Sequence, residues 1–295
     1  MKIINRDHYT NQIKEIVDCH TPDIKVITGI RRSGKSKLLE FLKEYIINSD
    51  ESANIIHINF SLLEYYDLMD FMSLYKYVEC KYEENRNNYL LIDEVQMCEG
   101  FEKAINSFHA SEKYDIYIAG SNAFLSSSDL ATLFTGRTFE IQVFPFSLKE
   151  YIQYHNYNDI DEAFDKYFSE GGMSGAFLYS GRKNQFKYIN EIYQTLIIRD
   201  IIKKYKIRNT GLLDKISHYL MDTVGNNISS KNISHYLSSH QENGNPVTVS
   251  NYISYLCNSY LFYKIDRYDI REKKFFQQMK NITLQIQVSD MPQSE

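Results

Sequence analysis

Short apolar runs alternate with longer amphipathic stretches through the first half of the chain. The apolar runs are rich in β-branched and aromatic residues and predict strands, and the longer stretches have the spacing of helices. Strands are predicted at Ile24–Thr28, Asn54–Phe60, Tyr89–Ile92, Asp115–Ala119 and Thr138–Val143, and helices near 35–48, 62–84, 101–111 and 123–134. Because several runs are apolar almost throughout, both faces of these strands are expected to be buried. The pattern therefore predicts an α/β fold with a parallel sheet flanked by helices.

The second half of the chain loses the strand pattern after Pro145. Residues 147–222 have the pattern of helices, interrupted by a glycine-rich stretch at 171–175. Two short helices and an extended segment follow, at Ser230–Ser238, Val247–Leu256 and Leu261–Arg267, in the order of a winged helix. The expected organisation is a core at 1–146, a helical section at 147–222, a winged-helix-like domain at 223–280 and a tail at 281–295.

Composition and charge exclude several classes of protein. Hydrophobic residues make up 43% and charged residues 24% of the 295 residues, as in globular proteins. The net charge of −5 argues against a nucleic-acid-binding coat over the whole surface, although a local basic patch is compatible with it. The four cysteines include no C-x-x-C pair, which argues against a disulfide framework or a zinc site. No apolar run approaches the ~20 residues of a membrane helix and the first residues do not resemble a signal peptide, so we expect a soluble, cytoplasmic protein without membrane contact.

A glycine-rich segment joins the first predicted strand to the next helix. It reads Gly29, Ile30, Arg31, Arg32, Ser33, Gly34, Lys35 and Ser36, a complete phosphate-binding loop of the Walker A type. Its backbone N–H groups and the start of the helix are expected to hold two phosphates of a nucleoside triphosphate. Lys35 is expected to reach the β- and γ-phosphates, and Ser36 to hold Mg²⁺. Arg31 and Arg32 either contact phosphate or a neighbouring subunit, or are solvated loop charges.

The third predicted strand ends in two carboxylates, Asp93 and Glu94. In a parallel sheet the ligand lies at the carboxyl ends of the strands, so both acids are expected near the phosphates. Asp93 is assigned to the Mg²⁺ shell, directly or through water, as the acid of a Walker B strand. Glu94 is assigned the orientation and deprotonation of the attacking water.

Polar residues after the fourth strand and before the fifth complete the candidate site. Asn122, with Ser121 as second choice, either hydrogen-bonds the γ-phosphate or the attacking water, or caps the following helix. Arg137 either stabilises charge on the γ-phosphate as an arginine finger, in cis or from a neighbouring subunit, or is a surface arginine. Arg199 and Asp200 lie inside a predicted helix and form either a structural ion pair or a nucleotide sensor.

Taken together, these motifs resemble those of a prokaryotic family of AAA-type P-loop ATPases, in which an ATPase core precedes a domain of unknown function. The resemblance rests on residues 29–36, Leu-Ile-Asp-Glu-Val-Gln at 91–96, Ile-Tyr-Ile-Ala-Gly-Ser-Asn at 116–122, Thr-Gly-Arg at 135–137, Val-Phe-Pro-Phe-Ser at 143–147, Gly-Gly at 171–172 and Arg-Asp-Ile at 199–201. It implies ATP as the nucleotide, Asn122 as the sensor and Arg137 as the arginine finger. It also implies helical, winged-helix-like and nuclease-like α/β sections after the ATPase core.

The chain departs from this family in two places. Phe101 stands where the family usually has a tryptophan after the acidic strand. After Ile270 nothing resembles the nuclease-like domain, so we expect a C-terminally truncated member and carry over no nuclease activity.

Three functional hypotheses follow from these residues. The leading one is an ATPase that uses Mg²⁺ and water to drive a conformational change, as a homo-oligomer. The alternative is a nucleotide-dependent DNA-binding regulator with little turnover, because residues 181–220 hold nine basic against three acidic residues. Its predicted recognition helix offers Asn251 and Tyr252 to DNA, with Lys231 nearby, but carries no lysine or arginine of its own. A P-loop kinase is the third hypothesis, and the lack of an arginine-rich lid argues against it.

Overall fold

The computed structural model describes residues 4–120, 125, 127–240, 244–269 and 274–284. Within it the chain divides into two compact units, Met1–Asn158 and Asp159–Glu295. No helix in these described ranges combines the length and the apolar character needed to cross a membrane.

The first unit is a parallel sheet with helices around it. Its strands are β1 Ile24–Gly29, β2 Ala53–Asn59, β3 Asn87–Asp93, β4 Tyr114–Ala119 and β5 Thr138–Val143, and its α-helices are α1 Asp7–Cys19, α2 Lys35–Ser49, α3 Phe71–Cys80, α4 Phe101–Ser111, α5 Ser127–Leu133 and α6 Leu148–His155. The strand order is β2-β3-β4-β1-β5, and every neighbouring pair is parallel. The predicted fold class is therefore confirmed, and all five strands lie within two residues of their predicted bounds.

Two apolar layers cover the two faces of this sheet. Leu90 and Ile92 of β3 pack in one layer with residues of α3 and α4, whereas Tyr89 and Leu91 pack in the other with residues of α1 and α2. Successive side chains of a strand point to opposite faces, so a strand that is buried on both faces must be apolar at every position. This explains why the sequence pattern of β3 is continuous instead of alternating.

Helix α1 has no counterpart in the sequence-based prediction. Its buried residues, Tyr9, Ile13, Ile16 and Val17, nevertheless recur with helical spacing. These side chains lie in the same apolar layer as α2 and Tyr89. The helix therefore belongs to the core of the first unit.

The single helix predicted near 62–84 is divided in the structure. A 3₁₀ segment at Leu63–Leu68 is followed by α3. The carboxylate of Asp70 accepts hydrogen bonds from the N–H groups of Met72 and Ser73 at 3.0 and 3.1 Å, which caps the N-terminus of α3. An aspartate whose carboxylate caps one helix marks its beginning, so the pattern cannot continue through Asp70 as one helix.

The second unit is helical up to residue 222 and ends in a small sheet. Its α-helices are α7 Ile160–Glu170, α8 Arg182–Thr195, α9 Lys203–Tyr205, α10 Thr210–Asp222, α11 Ser230–Ser239 and α12 Pro246–Asn258, and its strands are β6 Asn227–Ile228, β7 Phe262–Asp269 and β8 Lys274–Leu284. A π-helical segment, Leu196–Ile202, joins α8 to α9. The strands pair antiparallel in the order β6-β8-β7, and β8 enters the stretch expected to be a tail. The helical section is confirmed, and the winged-helix assignment stays a prediction.

One residue of the predicted recognition helix is not available to DNA. Tyr252 is only 9% exposed and lies on the buried face of α12 with Val249 and Leu256. The three residues have the spacing of one helix face, which explains their common burial. The expectation that Tyr252 faces DNA is therefore wrong, whereas Asn251 and Lys231 are exposed.

Candidate nucleotide-binding site

Loop 29–36, the segment between β1 and α2, has a conformation that requires glycine at two positions. Gly29 has a φ of 143°, and a Cβ there would collide with the carbonyl group of Val143 and lie 2.9 Å from Ser33 Oγ. Gly34 has a φ of 104° and caps the N-terminus of α2. Residues with a side chain rarely adopt these φ values. The segment is therefore a tight turn from a strand into a helix N-terminus, an arrangement that favours anions.

Two buried polar side chains belong to this loop. Lys35 is 6% exposed, and its Nζ donates hydrogen bonds to the carbonyl oxygens of Gly29 at 2.8 Å and Ile30 at 3.0 Å. Ser33 Oγ is buried and has no hydrogen-bond partner among the described residues. A polyatomic anion stabilises a buried ammonium such as that of Lys35 through its charge. It also supplies an acceptor to a buried hydroxyl such as that of Ser33, which lacks a partner among the described residues. The residues present therefore fit a phosphate-bearing ligand.

Strand β3 ends in the two predicted acids, and the first of them is linked to the loop. Asp93 is 2% exposed, and its Oδ1 accepts a hydrogen bond from Glu94 N at 2.9 Å. Burial raises the pKa of Asp93, and a side-chain hydrogen bond with Ser36 opposes this effect. That bond joins a hydroxyl at the start of α2 to a carboxylate at the end of β3. Both are oxygen ligands of the kind that Mg²⁺ prefers, so the two predicted metal-binding residues fit this ion.

Glu94 directly follows β3 in a left-handed conformation, with a φ of 53°. Its side chain is half-buried, and Gln96 Nε2 donates a hydrogen bond to its carboxylate. The side-chain oxygen of Gln96 lies so close to Gly120 that a Cβ there would collide with it. Gln96 therefore connects Glu94 to the end of β4, a role that was not assigned from the sequence although Gln96 lies in the motif at 91–96.

The predicted sensor follows β4. Because β4 lies between β1 and β3, this strand ends between the strands that carry loop 29–36 and the two acids. Asn122 and the second-choice residue Ser121 lie outside the described residues, and the helix that follows them is described from Ser127. The role of Asn122 therefore stays a prediction.

Arg137 lies at the amino edge of the sheet, away from loop 29–36. Its carbonyl oxygen accepts a hydrogen bond at 2.9 Å from Ile24 N, at the first residue of β1. β5 starts directly after Arg137 and its six residues run beside β1 to Gly29, a distance of about 20 Å. An arginine side chain cannot span this distance. The proposed role in cis is therefore excluded by geometry, which leaves a role from a neighbouring subunit or an ordinary surface position for this exposed residue.

The other arginine candidates remain without an assigned role. Arg32 is exposed, with a φ of 65°, and Arg31 is half-buried. Asp200 is 4% exposed in the π-helical segment of the second unit, and the side chain of Arg199 lies outside the described part of the chain. The alternatives given for these residues therefore stay open.

Arg6 is a contact of loop 29–36 that was not found from the sequence. Its Nη1 donates a hydrogen bond to the carbonyl oxygen of Ser33 at 2.8 Å, across 27 residues of chain. A side chain that contacts a backbone carbonyl leaves no motif, because the carbonyl is common to every residue. The lone arginine before α1 was the only signal in the sequence.

The strand order and the glycine-dependent turn after β1 define a P-loop nucleoside-triphosphatase fold. Residues 21–152 match the family described as AAA domain, and residues 161–282 match a domain of unknown function (DUF8612). An uncharacterized protein of Haemophilus influenzae is 34% identical over 278 residues, which cover 92% of this chain and 69% of that protein. The chain therefore belongs to the family that combines an AAA domain with this second domain.

More distant similarities extend to an archaeon and to solved structures. An uncharacterized protein of Methanocaldococcus jannaschii is 26% identical over 284 residues, and the match covers 92% of this chain and 61% of that protein. The ORC1 protein of Aeropyrum pernix, solved in complex with DNA, is 11% identical with a TM-score of 0.41, and the match covers 97% of this chain and 90% of the ORC1 chain. AMPPCP-bound DnaA from Aquifex aeolicus is 15% identical with a TM-score of 0.41, and the match covers 86% of this chain and 88% of the DnaA chain. Nothing about the site follows from likenesses at this level.

Proposed function

We propose that this protein is an ATPase that hydrolyses ATP with Mg²⁺ and uses the reaction to drive a conformational change. The observation that carries the proposal is the pairing of the buried Lys35, which follows a glycine-dependent turn, with the buried Asp93 at the end of β3. Loop 29–36 and the acidic end of β3 are the two parts that must meet around a nucleotide and its cation. A phosphate-binding turn alone indicates binding, whereas this pairing also supports hydrolysis.

Each residue of the site has a role that follows from its chemistry. Lys35 contacts the β- and γ-phosphates as the Walker A lysine, and backbone N–H groups of the loop donate to the same phosphates. Ser36 and Asp93, the acid of the Walker B strand, hold Mg²⁺, which when bound neutralises phosphate charge. Glu94 orients the attacking water and accepts its proton, and Gln96 fixes the position of the Glu94 carboxylate.

ATP hydrolysis and its dependence on Glu94 can be tested together. The full chain with ATP and Mg²⁺ is expected to release phosphate, and EDTA is expected to stop the release. Glu94→Gln should lower kcat at least about 100-fold, as expected for loss of a general base, and leave ATP affinity within about threefold. Glu99→Gln, an exposed carboxylate in the same segment, is the matched control and should keep the wild-type rate. Normal turnover by Glu94→Gln would show that this assignment is wrong.

A homo-oligomer completes the proposed site, because Arg137 is too far from the loop of its own chain. In such an assembly Arg137 of one subunit stabilises the γ-phosphate charge bound by the next, and Asn122 contacts the γ-phosphate or the water. Mixing two inactive variants tests this directly. Arg137→Ala subunits still supply Glu94, and Glu94→Gln subunits still supply Arg137, so the mixture should recover part of the turnover. A mixture as inactive as its components argues against an intersubunit arginine.

A nucleotide-dependent DNA-binding regulator is the second candidate. Its support is the exposure of seven basic side chains in the helical section of the second unit, at Arg182, Lys183, Lys187, Lys203, Lys206, Arg208 and Lys215. Exposed basic side chains of this density favour contact with phosphates. The burial of Tyr252 and the lack of lysine or arginine in α12 weaken the winged-helix version of this proposal.

Fluorescence anisotropy with a labelled duplex separates the two candidates. The regulator predicts binding that requires ATP, weakens steeply with salt and proceeds with negligible phosphate release. Reversing Lys183 and Lys187 to glutamate should then abolish binding without changing nucleotide affinity. Phosphate release without a change in the anisotropy of the duplex favours the ATPase and not the regulator.

A further inference from the structure

Arg6 is anchored between loop 29–36 and the end of the first unit. The side chain is 12% exposed, and its guanidinium makes hydrogen bonds to three separate parts of the chain. The acceptors are the Ser33 carbonyl oxygen at 2.8 Å, the Phe144 and Pro145 carbonyl oxygens at 2.8 and 3.4 Å, and Glu150 Oε1 and Oε2 at 2.7 and 3.1 Å. The fork of an arginine can satisfy these acceptors simultaneously, which the single ammonium of a lysine cannot.

The bond to Ser33 determines the orientation of one peptide group in the loop. The chain has no cis peptide bond among its described residues, so the carbonyl of Ser33 and the N–H of Gly34 point in opposite directions. Because Arg6 holds the carbonyl, the Gly34 N–H is directed away from Arg6. A Cβ built at Gly34 would have Arg6 Nη1 as its neighbour, at 3.7 Å, so the guanidinium lies directly beside this residue. The Gly34 N–H is therefore on the side of the peptide group that faces away from Arg6.

Glu150 holds the guanidinium from the opposite side. Ser147 and Glu150 form a capping box at the start of α6, which fixes the Glu150 carboxylate before it meets Arg6. Burial would raise the pKa of Glu150, but the hydrogen bonds and the charge of Arg6 lower it. Two aromatic rings, Tyr9 at 4.5 Å and Phe146 at 5.3 Å, also contact the guanidinium. The carboxylate and the two rings restrict the guanidinium to one position.

We propose that Arg6 is a positioning residue that presets loop 29–36 for nucleotide, by holding the Ser33 carbonyl outward so that the Gly34 N–H serves as a phosphate donor. The inference rests on the proposed nucleotide-binding function of the loop. Arg6 contacts no phosphate itself in this proposal. Its effect is on affinity and not on the chemical step, since the group it orients binds the phosphates before and during hydrolysis.

ADP titration by calorimetry tests the proposal on the full chain. Arg6→Gln is expected to bind ADP about tenfold more weakly, the loss expected from one misdirected charge-assisted donor. In turnover the KM for ATP should rise by a similar factor while kcat stays within about twofold. Arg6→Lys should not rescue affinity, because a lysine keeps the charge but not the fork. Full rescue by lysine would overturn the orientation argument.

Ile13→Val is the control for the docking of α1. Ile13 is fully buried in the apolar layer that α1 shares with α2, so the shorter side chain loosens α1 and leaves every hydrogen bond of Arg6 in place. This variant should bind ADP within about twofold of wild type. An equal loss of affinity in Ile13→Val and Arg6→Gln would show that Arg6 only docks α1 and would overturn the proposal.

A second variant covers the case in which Arg6→Gln fails to fold. Glu150→Gln keeps the Arg6 bond to Ser33 but weakens the anchor, so an ADP affinity about threefold below wild type is expected. Unchanged affinity in Glu150→Gln, with wild-type protein binding ADP normally, would contradict the anchoring and leave the nucleotide-binding function intact. Absence of ADP binding by the wild-type chain would overturn both.

Discussion

Lys25 and Lys35 are both buried in the first unit, at opposite edges of the same sheet. At the amino edge, Lys25 Nζ forms an ion pair with Asp115 Oδ1 at 2.6 Å. At the carboxyl edge, Lys35 Nζ donates hydrogen bonds to the carbonyl oxygens of Gly29 and Ile30. A carboxylate at contact distance neutralises an ammonium, whereas a carbonyl only solvates it. Lys25 therefore stabilises the fold through its ion pair with Asp115, whereas Lys35 lies in the loop that is proposed to bind phosphate.

Strained backbone conformations occur at both edges of the sheet, so they do not distinguish the two edges as clearly as the two lysines do. Gly29, Gly34 and Glu94 at the carboxyl edge all have positive φ, but so do Thr135 and Gly136 at the amino edge. The difference is in the space around them: a Cβ at Gly29 would collide with Val143, and a Cβ at Gly136 would meet nothing within 4 Å. Strain is thus combined with close packing at Gly29 of the proposed site, while the amino-edge turn at Gly136 is strained but open.

The largest effect is expected from exchanging each buried lysine for methionine. Lys35→Met should weaken nucleotide binding at least about 100-fold, because it removes a cation from the phosphates, and should lower the free energy of unfolding by about 1 kcal/mol, because two carbonyl oxygens lose a donor. Lys25→Met should lower the free energy of unfolding by about 3 kcal/mol, because it leaves Asp115 without its cation, and should leave ADP affinity within about twofold. Urea denaturation and ADP calorimetry on both variants measure the four values. Equal losses of stability in the two variants would remove the distinction between them.

The two glycines give the next largest contrast. Gly29→Ala introduces both an unfavourable φ and a collision with the Val143 carbonyl, so we expect a loss of at least about 3 kcal/mol in stability. Gly136→Ala introduces the unfavourable φ alone, at φ 76°, with an expected loss of about 1 kcal/mol. Chemical denaturation compares the variants. A cost for Gly136→Ala as large as that for Gly29→Ala would mean that φ, and not crowding, makes loop 29–36 depend on glycine.

The parts of the site that are predictable from sequence are those defined by local patterns. β3 is apolar at every position because both its faces are buried, and Asp93 and Glu94 then mark its end, so the acids and their edge of the sheet follow together. Lys35 and Ser36 are likewise fixed by the spacing of two glycines. Each of these inferences needs only neighbouring residues.

The parts that are not predictable depend on contacts between distant segments. Arg6 reaches Ser33 and Glu150, which are 27 and 144 residues away, and no local pattern records either contact. The position of Arg137 relative to loop 29–36 depends on the pairing of β5 beside β1, so the role in cis could be excluded only from the sheet. The burial of Tyr252 is a different case, because the spacing of Val249, Tyr252 and Leu256 on one face of α12 is a local pattern that the sequence contains.

The smallest effect concerns the acid dependence of a hydrogen-bonded carboxylate at the amino edge. Asp50 Oδ1 accepts a hydrogen bond from Ser52 N at 2.8 Å, and its Oδ2 accepts one from Asn87 at 2.9 Å and one from Tyr89 at 3.0 Å. Burial alone would raise the pKa of Asp50, but these bonds outweigh it and lower the pKa to about 2, from 3.8.

A carboxylate with a lowered pKa in the folded state adds stability above its unfolded pKa and loses it as the pH falls through the folded pKa. Stability should therefore decrease between about pH 4 and pH 2 by less than about 1 kcal/mol from this group, because solvent screens it. Asp50→Asn should flatten that part of the profile in urea denaturation, whereas Asp67→Asn, at an exposed position of the 3₁₀ segment, should leave it unchanged. An identical acid profile in wild type and Asp50→Asn would show that these hydrogen bonds favour the neutral acid as much as the carboxylate.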